Sequence, residues 1–73
     1  MPAIAPVVFS ATAGGAVYLL EWQQLAEGSW GALVAYMEWN GLKWQGRRRQ
    51  VMAENITPIE GQDYSRVPRK LKG

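Results

Sequence analysis

The stretch that decides the fold runs Trp30-Gly-Ala-Leu-Val-Ala-Tyr-Met-Glu-Trp39-Asn40-Gly41-Leu42-Lys-Trp-Gln-Gly-Arg-Arg-Arg-Gln-Val-Met52. At its middle, Asn40-Gly41 sits between the apolar flanks Trp39 and Leu42. That dipeptide is the preferred centre of a two-residue type I′ hairpin turn, because both central residues need φ > 0. The flanks are rich in aromatic and β-branched residues, which fit a pleated, half-buried surface. The pattern predicts one strand over about Trp30–Trp39 and a second over about Leu42–Met52. With Trp39 opposite Leu42, Glu38 faces Lys43, Met37 faces Trp44, Tyr36 faces Gln45 and Val34 faces Arg47. Gly46, inside the second strand, is the expected site of a bulge or bend.

Side chains alternate along a strand. Trp30, Ala32, Val34 and Tyr36 therefore share one face of the hairpin. Leu33, Met37, Trp39, Leu42 and Trp44 share the other. One small core cannot cover both faces. The second face is left for a partner, for the N-terminal segment or for a ligand.

Working outward, Ala16-Val-Tyr-Leu-Leu-Glu-Trp-Gln23 reads as another strand, preceded by a Gly14-Gly15 turn and a strand around Val7–Thr12. A helix over Tyr18–Glu27 is the rival. The β-rich front half and the lack of a good N-cap favour the strand. Leu25–Ser29 is a loop punctuated by Gly28. Downstream, Ala53-Glu54-Asn55 separates the long hairpin from Ile56–Ile59, which Pro58 confines to an edge or a strand end. The count is five short strands, enough for a small closed or half-open barrel. From residue 62 the chain turns polar and basic and reads as a flexible tail to residue 73, so the domain is placed at 1–61.

The segment from Gly28 to Ile59 resembles SH3-like small barrels. Gly28 stands in a loop, Trp30 and Ala32 open a strand, and a hairpin follows. Then Gln50-Val51-Met52-Ala53-Glu54-Asn55-Ile56-Thr57-Pro58-Ile59 looks like that family's strand, single 3-10 turn and last short strand. The resemblance implies that Ala32, Val34, Val51, Ala53 and Ile56 point inward, leaving Met37, Trp39 and Trp44 as the surplus. The acidic-aromatic signature of signalling SH3 domains is missing, so proline-rich peptide binding is not implied. The superfamily also holds Tudor and chromo-type modules, KOW-type modules, and bacterial DNA-binding and subunit-docking proteins. The fold does not choose among them.

The 73 residues include no cysteine and no histidine. Disulfides, thiolate or imidazole zinc sites, Cys or His nucleophiles and a histidine base are excluded. The carboxylates Glu21, Glu27, Glu38, Glu54, Glu60 and Asp63 form no recognised catalytic or calcium-loop spacing, and Ser10, Ser29 and Ser65 stand in no nucleophile motif. No enzyme, cofactor, metal or small-molecule substrate is expected. No apolar run nears the ~18 residues of a membrane helix. The start lacks a basic n-region and carries Pro2 and Pro6, so the chain reads as cytoplasmic and without a leader.

Net charge is +2, unevenly placed. Up to Leu42 there are three acids and no base. From Lys43 onward there are eight bases and three acids. Arg47-Arg48-Arg49 suits bidentate contact with phosphate or carboxylate. The leading expectation is a nucleic-acid-binding module in which Lys43, Arg47, Arg48, Arg49, Arg69 and Lys70 contact phosphate while Trp39 and Trp44 stack. The alternative is a protein-docking or self-associating module that uses Met37, Trp39 and Trp44 as its contact surface.

Overall fold

The computed structural model describes residues 5–71. The elements are β1 (Val7–Ser10), β2 (Gly15–Gln24), β3 (Trp30–Trp39), β4 (Trp44–Met52), a 3-10 turn (Ala53–Asn55), β5 (Ile56–Pro58) and β6 (Arg69–Lys70). The chain is all-β apart from that turn. Ala16–Gln23 is strand, not helix. The sheet runs β4-β3-β2-β1-β5, and β6 lies parallel against β2. It is open: β4 and β5 end the path, and no ladder joins them among the described residues. Six strands in an open sheet stand where a five-stranded barrel was expected. The sixth comes from the segment after Gly61.

The hairpin turn is centred one residue later than the sequence suggests. Trp39 pairs with Trp44, Glu38 with Gln45, Met37 with Gly46, Tyr36 with Arg47 and Val34 with Arg49. The Asn40 N–H donates to the Lys43 carbonyl, so Gly41 and Leu42 are the central pair. Only Gly41 has positive φ (96°), whereas a type I′ turn needs it at both centres. Asn40 instead uses its side chain: Oδ1 accepts the N–H groups of Leu42 and Lys43, each at 2.9 Å. Moving a turn centre by one residue moves the register by two, so every side chain within the ladder keeps its expected face. Leu42, expected to open the second strand on the outer face, lies in the turn instead, and β4 starts at Trp44.

The irregularity expected at Gly46 is absent, since β3 and β4 pair without a shift from Gly31 to Trp39. The bulge lies in β2, between Leu19 and Glu21. It has two effects. It resets the alternation, so that Val17 and Leu19 before it and Trp22 after it all face the core side. It also follows the end of the β1 ladder, at Tyr18. The edge that β2 then exposes is taken by β6, with the Trp22 N–H donating to the Pro68 carbonyl at 2.8 Å.

The core is Val8, Val17, Leu19, Ala32, Val34, Val51 and Val67. Ala32, Val34 and Val51 are inside, while Ala53 and Ile56 are only half-buried. Val67 belongs to the segment read from the sequence as a flexible tail. That segment is fastened at several points. The Tyr64 hydroxyl donates to the Val7 carbonyl (2.6 Å) and accepts the Ile59 N–H (2.9 Å). The Gln62 side-chain carbonyl accepts the Val7 N–H at 2.9 Å. A chain this small exposes about 40% of its unfolded surface even when folded, which leaves apolar residues beyond residue 61 a core to complete. The first four residues of the expected domain, and Lys72 and Gly73 of the expected tail, lie outside the described residues.

Candidate functional site

Cross-strand partners project to the same side of a sheet. The side away from the core therefore carries Met37, Trp39 and Trp44, joined by Ala35, Arg48 and, through its pairing with Ala35, Tyr18. Met37, Trp39 and Trp44 are 59%, 54% and 62% exposed. The two indoles meet edge to face, ring centres 5.7 Å apart at 63°. Gly46 lies opposite Met37 and offers no side chain, so the thioether lies over bare backbone there. Beyond Tyr18, Phe9 is also exposed. The lower part of this face is polar and knitted together. The Gln50 amide donates to Gln23 (2.7 Å), and the Gln23 amide donates to Glu21 (2.8 Å).

The structure does not gather the expected phosphate-contacting residues. Alternation sends Arg48 to the outer face and Arg47 and Arg49 to the core side, where both remain exposed. Arg47 is matched by Glu38, with Nε 3.4 Å from the carboxylate. Arg49 donates to the Thr12 carbonyl at 3.2 Å. Lys43 sits at the turn. Arg69 and Lys70 lie on β6, with β2 and β3 between them and β4. At about 4.8 Å per strand that is roughly 14 Å across the sheet.

The sequence did not single out a recess on the other side of the sheet. Trp22, Trp30, Ala53, Tyr64 and Arg69 wall a recess of about 460 Å³ on the core side. It exists because the bulge turns Trp22 inward and β6 sets Arg69 directly opposite it. Without knowledge of the bulge, nothing in the spacing places Trp22 and Trp30 on one face.

Among the described residues, no three acidic side chains gather as a metal site would need. No helix there is long and apolar enough to cross a membrane. An all-β sheet with an exposed aromatic arm and a separate ring-lined recess is the object these residues define. Comparison of the chain with protein-family models, curated proteins and solved structures finds no match.

Proposed function

We propose that the chain is a non-catalytic docking module of SH3-like type, which packs its outer face against another protein surface. The observation that carries this is the composition of that face. Tyr18, Met37, Trp39, Trp44 and Arg48 are all of types enriched in protein interfaces, and Glu21 of the same face lies apart from them in its polar lower part. Trp, Tyr and Arg are also the residues that dominate binding energy. The SH3-like reading is supported by the β4–turn–β5 order and by the β1–β5 pairing.

The occupant that the molecule itself argues for is a second copy. Its front half carries acids and its back half most of the bases, so a second copy offers charge of the opposite sign. Pairing through the free edge of β4 is disfavoured, because antiparallel pairing about Arg48 sets arginine against arginine. Packing face to face, as in a sandwich, avoids this. Sedimentation velocity over a wide concentration range tests it. The wild-type chain is expected to associate, and the Trp39→Ser/Trp44→Ser variant to stay monomeric. A wild-type monomer throughout contradicts self-association.

A second reading, contact with a nucleic-acid backbone, is favoured by one observation: Arg48 flanks the exposed rings. It predicts affinity that falls steeply with salt, with a flatter slope in Arg48→Gln.

A further inference from the structure

The recess behind Trp22 and Trp30 is distinct from the docking face. Both indoles lie on the core side of the sheet, whereas Trp39 and Trp44 lie on the other. Three aromatic residues and one arginine line the recess. Tyr64 is held rigidly, with its hydroxyl committed to Val7 and Ile59, so it offers the recess a ring and no free hydroxyl. No carboxylate lines the recess, and Arg69 makes no ion pair among the described residues. Lys70 follows it on β6 and adds a second positive charge nearby.

These features select a ligand. Flat rings favour a flat, polarisable body. An unmatched guanidinium favours an anion and repels a cation, and its fork fits phosphate oxygens. The volume lies within the range of small-molecule sites, about 300–1,000 Å³. We propose that the recess binds a nucleotide, with its base against Trp22, Trp30 and Tyr64 and its phosphate on Arg69. The nucleotide is either free or one unit of a single strand. The proposal stands apart from the docking reading, since it uses none of the same side chains.

The test uses the full chain, labelled with ¹⁵N, and follows its four indole N–H signals. Adenosine 5′-monophosphate, adenosine and a four-nucleotide oligoadenylate are titrated in turn. The monophosphate is expected to shift the Trp22 and Trp30 signals. Adenosine should bind about tenfold more weakly, the scale of one charge-assisted phosphate contact. Arg69→Gln should bring the monophosphate down to the level of adenosine, and Arg69→Lys should restore part of the difference. Added salt should weaken the monophosphate and spare adenosine, a readout that needs no variant. Tighter binding of the oligoadenylate makes a strand the source; equal or weaker binding makes it a free nucleotide. The proposal is overturned if no phosphorylated probe moves Trp22 and Trp30. It is equally overturned if adenosine matches the monophosphate, or if Arg69→Gln and salt change nothing.

Discussion

The β3–β4 hairpin is two different environments along one ladder. At its base, Ala32, Val34 and Val51 are sealed by β1, β2 and the C-terminal segment. At its tip, every residue from Met37 to Gln50 is exposed. Composition does not separate the ends, since both are rich in strand formers. Coverage separates them. The base is crossed by elements that return to it, and the tip extends past them. An apolar residue on a strand is thus buried only where the rest of the chain reaches.

The largest effect should come from the sealed base. Leu19→Ala removes a fully buried side chain and should cost about 3 kcal/mol, read as a lower urea midpoint. An equal loss from truncating Trp39 would erase the distinction between the two ends. Next is Tyr64→Phe. It strips a donor from the Val7 carbonyl and an acceptor from the Ile59 N–H, at a cost of about 1–2 kcal/mol by the same titration. Asn40→Ala should cost less, about 0.5–1 kcal/mol, because its two backbone donors are exposed and water replaces the side chain. Glu38→Gln should shift the midpoint by no more than about 0.5 kcal/mol, since both partners of the Arg47 pair are about half exposed and screened.

The smallest effect is with pH. The Ser29 hydroxyl, then backbone hydrogen bonding, lowers the pKa of Glu27. The Ser65 hydroxyl and then its N–H lower that of Asp63, with a smaller contribution from Arg66. Both folded values lie below the unfolded ones. Their stabilisation is present above the ordinary values of 4.5 and 3.8 and is lost as pH falls through the folded values. Ser29→Ala/Ser65→Ala should flatten the acid limb of a urea-midpoint profile. A steeper limb would contradict the assignment.

Much of this was legible in the sequence, for local reasons. Asn40-Gly41 marked the hairpin, and parity assigned Met37, Trp39 and Trp44 to the face opposite Val34. That assignment survived a two-residue error in register because two residues restore the same face. The turn itself was misread because Asn40 serves as a side-chain acceptor and leaves positive φ to Gly41 alone. Hidden, too, were features that depend on contacts distant in sequence. The β2 bulge, which brings Trp22 beside Trp30, leaves no mark in the sequence near Leu20. The place of Val67 in the core depends on a segment whose polar composition reads as tail. The arginine run was visible as charge, but strand alternation divides it between two faces.

The central claim is that the exposed arm is a contact surface and the sealed base is not. A soluble paramagnetic agent, with the four indole N–H signals followed at low and high protein concentration, tests it most directly. The account predicts that Trp39 and Trp44 are broadened in dilute solution and protected as concentration rises, while Trp22 and Trp30 do not change. Trp39 and Trp44 broadened equally at every concentration would contradict it.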